Sequence, residues 1–182
     1  MNPRLSALKI YIPTFIKKKK LEDLFALVVD AFGKEMPVLK GLSYREGLKA
    51  FAMYTSNEAE KQIQEGHDME VIKKKLSENA RCLGQKIRKD FGIRGVKDVM
   101  EMSRILYRIL EIDFRGELSG EVTIKKCFFS KYYTPQVCRF ISSLDEGMVA
   151  GLSGGGKLSF YQRITEDKDC CEAGLAMPEE EK

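Results

Sequence analysis

Cys127, Cys138, Cys170 and Cys171 all fall in the last third of the chain, with Asp145 and Arg163 between them. The fifth thiol, Cys82, stands alone in the first two thirds. Sulfur in such a setting attacks as a thiolate, ligates a metal, or packs as a small apolar group. Five cysteines, an odd number, fit a disulfide framework poorly, so free thiols and a cytoplasmic location are expected. These residue types would act together if Cys127, Cys138, Asp145, Arg163 and either Cys171 or Cys170 converged on one pocket. If they held zinc or an iron–sulfur cluster, the ligands would be Cys127, Cys138 and Cys171, because adjacent residues on a strand point to opposite faces.

The elements that must position them read as α+β: a helical part over residues 1–110, then an antiparallel sheet with a packed helix over 111–177. A disordered tail over 178–182 follows, and the whole is expected to form one compact unit. Apolar residues recur at helical spacing through Leu21–Met36, and Ser43 with Glu46 forms a capping-box pattern for a helix reaching about Gln64 before Gly66. His67–Asp68 opens a further stripe that ends at Phe91 and Gly92, and Val96–Ile109 carries another. From Ile112 the period changes to two. Phe114 and Leu118, the turn Ser119–Gly120, then Val122 and Ile124 read as a hairpin, with Cys127 on the polar face beside Thr123 and Lys125.

Thr134–Pro135 starts a helix expected to run unbroken to Met148 or Leu152. On it Cys138 and Asp145 are seven residues apart, about 700° of rotation, and so share a face. Ser153–Gly156 reads as a flexible hinge. The strand Leu158–Thr165 places Tyr161 and Arg163 on one side, and a last strand covers Cys170–Met177 after the turn Glu166–Asp169.

The order Cys127, Cys138, Asp145, then Phe160–Glu166 and Asp169–Cys170–Cys171, resembles the L-2-amino-thiazoline-4-carboxylic acid hydrolase-like family. It also resembles the 4-vinyl reductase (V4R) small-molecule-binding domains. The likeness covers the last third well and the helical part only in general character. Phe128 stands where the family often has Pro, and Asp167–Lys168 where it usually has Gly. What the resemblance implies is hydrolytic opening of a C–N bond in a small carboxylated heterocycle. A thiolate at Cys127 or Cys138 would attack, Asp145 would act as general base or orienter, and Arg163, with Tyr161, would bind the substrate. Lys125, Lys126, Arg139 and the helix dipole at Cys138 are the candidate sources of a thiolate-stabilising field. The alternative is a non-catalytic sensor domain of V4R type.

Other signals are set aside. Gly151 and Gly156–Lys157 have phosphate-loop spacing, but Leu158 replaces the required Ser or Thr, and a helix precedes where a strand should. The lysine runs Lys17–Lys20 and Lys73–Lys75 are interleaved with acids, and net charge is only +4, so no nucleic-acid partner is expected. No apolar run is long enough to span a bilayer, and the Leu8–Ile16 stretch, broken by Pro13 and followed by the lysines, does not read as a signal peptide, so none is expected. His67, the single histidine, reads as a boundary residue. A small-molecule ligand or substrate is the expected partner, with self-association left open.

Overall fold

The computed structural model describes residues 11–66 and 69–178. The expectations for His67–Asp68 and for residues 179–182 of the tail lie outside the described residues, as does the start of the Leu8–Ile16 stretch. Four helices come first: α1 (Thr14–Phe32), α2 (Tyr44–Glu65), α3 (Met69–Phe91) and α4 (Gly95–Ile109). Strands β1 (Phe114–Gly116) and β2 (Glu121–Ile124) follow, then α5 (Pro135–Ile141), α6 (Ser143–Ser153), β3 (Lys157–Gln162) and β4 (Cys171–Ala176). The strands form one antiparallel sheet in the order β1-β2-β4-β3, so the fold is α+β with helices preceding the sheet.

Local chemistry accounts for most boundaries. At the start of α2, Ser43 and Glu46 exchange hydrogen bonds of 2.7 and 3.3 Å between side chain and backbone, satisfying N–H groups that have no helical acceptor. Helix α1 begins earlier than its apolar stripe, at Thr14 behind Pro13, so Lys17–Lys20 ride on helix rather than loop. It stops at Gly33, whose left-handed φ of 63° ends the helix before Met36.

The expected single helix after Thr134 is two. Thr134 caps α5 as anticipated, but the hydroxyls of Ser142 and Ser143 bond the carbonyls of Cys138 and Phe140 at 2.6 and 2.9 Å and the ladder is interrupted between them. Serine hydroxyls that compete for backbone acceptors in this way weaken a helix interior.

Helix α6 lies against α3 at backbone contact. A Cβ at Gly147 would sit 2.1 Å from the Ser77 carbonyl oxygen, and one at Gly151 2.3 Å from that of Arg81. On the other side, a Cβ at Gly84 would meet the Met148 carbonyl oxygen at 2.5 Å. The partners advance together along both helices, so the two run parallel. Gly151, set aside above for its phosphate-loop spacing, is an interior residue of α6, required because nothing larger fits between the helices. The inward side of the sheet, with Val122, Ile124, Leu158, Cys171 and Ala173 buried, completes a core shared with the helices.

Gly147→Ala should cost about 3 kcal/mol or more in urea unfolding, because both colliding groups are backbone and cannot rotate away. Gly47→Ala supplies the contrast. Its Cβ would meet only the Leu21 side chain at 3.3 Å, so the change should fall within about 1 kcal/mol of neutral, helix propensity offsetting the crowding.

Candidate functional site

Between the helices and the inner sheet face lies a cavity of about 150 Å³. Its wall is mostly aliphatic and aromatic, from residues such as Leu24, Phe51, Leu83, Leu106, Ile124 and Phe129. Into it come Cys127, Cys138, Cys171, Asp145, Arg163 and Tyr107. Five of these were singled out from sequence; Tyr107 was not.

Each arrives by a local feature of the chain. Beyond Ile124 the β2 strand ends, and Cys127 begins a short 3-10 turn at Phe128–Lys131. Strand alternation therefore no longer applies, and Cys127 joins the apolar lining instead of the polar face beside Thr123 and Lys125. The Ser130 N–H and hydroxyl donate to its carbonyl oxygen, at 3.3 and 2.8 Å, and the backbone at Phe129 and Ser130 opposes part of the rise in its thiol pKa. Cys138 lies one turn into α5. On β4, Cys171 faces inward and its Sγ accepts the Ile164 N–H at 3.4 Å, whereas Cys170 turns outward toward Gln162 and Glu172. Cys171, not Cys170, is thus the one of the pair that lines the cavity.

An irregularity between Phe160 and Gln162 interrupts the alternation expected of β3. Tyr161 is thrown outward, 73% exposed, and takes no part in the lining. Phe160 and Arg163 instead share the cavity side, the guanidinium 4.3 Å from the Phe160 ring centroid. Pairing of Tyr161 with Arg163 on one face does not occur.

Asp145 is the electrostatic centre. Burial raises its carboxyl from the ordinary 3.8 to about 6, against the lowering effects of the Tyr107 hydroxyl and the Arg163 charge. The Tyr107 hydroxyl donates to Asp145 Oδ1 at 2.6 Å. Tyr107 could have been suspected from sequence, since a tyrosine on the buried stripe of an amphipathic helix must find an acceptor. Burial likewise raises all three thiols, Cys127 to about 12, and for Cys138 it outweighs the Thr165 hydroxyl and Arg163 beside it. The side chains anticipated as sources of an activating field do not supply it; Arg163 opposes the rise at Cys138 and Cys171 without overcoming burial. Arg139 is exposed and committed to Glu166 at 2.7 Å, and Lys125 and Lys126 point to solvent. A low-pKa thiolate, which nucleophilic attack needs, is not what this environment favours.

The sulfurs border one cavity without meeting at one point. Among the described residues, no three His, Cys, Asp or Glu side chains are placed to hold a metal ion, so Cys127, Cys138 and Cys171 do not form the suspected ligand set. No protein-family model matches the chain, and no curated protein matches it significantly.

Two outcomes test this electrostatic picture. At neutral pH iodoacetamide should modify exposed Cys82 and half-exposed Cys170 well before the cavity thiols, as peptide mass mapping over time would show. Rapid labelling of Cys127 or Cys138 would contradict the raised thiol values. For Asp145 the folded-state pKa exceeds the unfolded one, so the unfolded chain releases a proton that the folded chain retains. Its contribution to stability must therefore fall as pH rises from about 4 to about 6, by roughly 2–3 kcal/mol. Asp145→Asn, which keeps an acceptor for Tyr107, should remove that part of the pH dependence in urea titrations.

Proposed function

We propose that this protein binds a small, largely apolar molecule in the cavity bounded by Tyr107, Cys127, Cys138, Asp145, Arg163 and Cys171. The observation that carries this reading is the composition of the wall: a continuous apolar surface into which a few polar groups project. Binding sites for small molecules are built this way, with burial providing affinity and a few hydrogen-bonding groups fixing orientation. The volume, about 150 Å³, is of the order that accommodates a single six-membered ring. In this reading the cysteines are wall material. Their protonated thiols add polarisable apolar surface, and the Asp145–Tyr107 pair offers a hydrogen-bonding point for a ligand.

Five free cysteines support a reducing compartment, consistent with a cytoplasmic protein. No helix among the described residues is long and apolar enough to cross a membrane.

A second reading, hydrolysis of a C–N bond in a small carboxylated heterocycle, draws on one observation. A carboxyl with a pKa of about 6 can act as a general base near neutral pH, and Asp145 lies close enough to Cys138 to influence its ionisation. Against it stand the raised thiols. Turnover of a thiazoline carboxylate that is lost in both Cys138→Ser and Asp145→Asn would favour hydrolysis over binding alone.

The binding reading is tested by screening single-ring compounds for a rise in Tm of the whole chain. Ligands at concentrations well above Kd should raise it by several degrees. Leu106→Phe, which fills part of the lining, should lose the shift while the unliganded variant still unfolds cooperatively. A shift of equal size in that variant would place the ligand elsewhere.

A further inference from the structure

The excess positive charge of the chain is concentrated around the start of α1. Residues 1–20 hold six of the 31 lysines and arginines and none of the 27 acids, so the rest of the chain is net negative. Four of the six are Lys17–Lys20, in the first two turns of α1. Lys19 and Lys20 share a single acid, Asp23, at 3.3 and 3.1 Å. Lys17 lies over the Tyr44 ring, and Lys18 donates to the Leu42 carbonyl at 2.7 Å, contacts that leave both charges in place. Glu46, the acid that bears on Lys18, is bonded to the Ser43 backbone. The first turn of α1 has neither an acid nor a side-chain cap, so the helix dipole adds to the same positive field.

Two exposed aromatic rings accompany that charge. Tyr11 is 67% and Phe15 72% exposed, whereas Ile12 is buried and Ile16 packs against the core. The isoleucines fix the segment to the body and leave the rings facing outward. Phe15, Lys18 and Lys19 are all exposed and lie three and four residues apart, on one helix face that continues to Glu22. The second lysine run differs on both counts. Lys73, Lys74 and Lys75 each have an acid of their own, in Glu70, Glu78 and Asp30, and no exposed aromatic stands beside them.

We infer that the start of α1 docks this protein on an anionic bilayer surface. Tyr11 and Phe15 enter the headgroup layer, where apolar rings leave water, and Lys17 and Lys18 face the lipid phosphates and carboxylates. Such docking is peripheral and needs no spanning helix. It does not depend on what the cavity holds. A nucleic acid would also meet the charge, but the run is lysine throughout, without the arginine forks that match phosphates and base edges, and no recognition motif accompanies it.

Co-sedimentation of the whole chain with vesicles tests the inference. Vesicles of mixed phosphatidylserine and phosphatidylcholine should bind it, pure phosphatidylcholine should not, and added salt should weaken the binding by screening. Lys17→Gln combined with Lys18→Gln should lower the affinity about tenfold or more, whereas Lys74→Gln with Lys75→Gln, an equal change in net charge, should leave it within about twofold. The chain has no tryptophan, so Phe15→Trp adds a single reporter. Its emission should shift to the blue with the anionic vesicles, and that of Val71→Trp, at an exposed site on α3, should not. No binding to the anionic vesicles, equal losses in the two double variants, or an unmoved Phe15→Trp spectrum would overturn the docking surface. Tighter binding of polyuridylate than of vesicles, lost in the Lys17 and Lys18 double variant, would also overturn it and assign the patch to nucleic acid.

Discussion

The architecture depends on the contact between α3 and α6. Glycines at 147 and 151 on one helix and at 84 on the other bring two backbones together with no side chain between them. Residues three and four apart share a helix face, so fixing Gly147 and Gly151 against α3 fixes the rotation of α6. Leu144, Asp145 and Met148 are then the residues that border the cavity. The site is thus set by a steric constraint that carries no chemistry of its own. Dispersion across so close an interface is dense, and it holds the α5–α6 segment against the helical part of the chain.

Onto that framework the sheet brings the remaining groups. Ile124 pairs with Cys171, and Phe160 with Ala173, which places the end of β2 and the irregular end of β3 at the same cavity. Both strands stop being regular just before the residue that matters, Cys127 in one case and Arg163 in the other. Irregular backbone at a strand end is a common means of re-aiming a side chain. It is also why Tyr161 and Arg163, two apart in sequence, end on different sides.

This explains what the sequence could and could not convey. Apolar periodicity and caps carry the helices and the fold class, because Ser43, Thr134, Gly66 and Gly92 act through neighbours a few residues away. The cysteines, Asp145 and Arg163 stand out by residue type. Their bordering of one cavity depends on contacts such as Ser77 with Gly147, seventy positions apart, to which no local pattern points. Break points were equally hidden. The interruption at Ser142 and the shift beyond Phe160 come from hydroxyl competition and strand irregularity, which period counting smooths over. Tyr107 was concealed for another reason: on an apolar stripe it resembles core until its acceptor is known. The Asp145 environment, read from sequence as catalytic, also depends on burial, which converts nearby sulfur from a potential nucleophile into a protonated wall group.

Burial of Asp145 is itself an argument. Its raised pKa means that the folded state disfavours the charge, so at neutral pH this residue lowers stability. An apolar side chain of similar size would remove that penalty, and phenylalanine in place of Tyr107 would remove the need for an acceptor. Arg163, largely buried on the same wall, has its nearest acid, Glu166, 4.0 Å from Nε. No ion pair within 4.0 Å joins it to Asp145 among the described residues, so the two charges do not cancel by contact. Charged groups set into an apolar cavity repay little of their desolvation through the fold. In the binding reading proposed above, a ligand entering the cavity would supply the contacts that the fold itself does not.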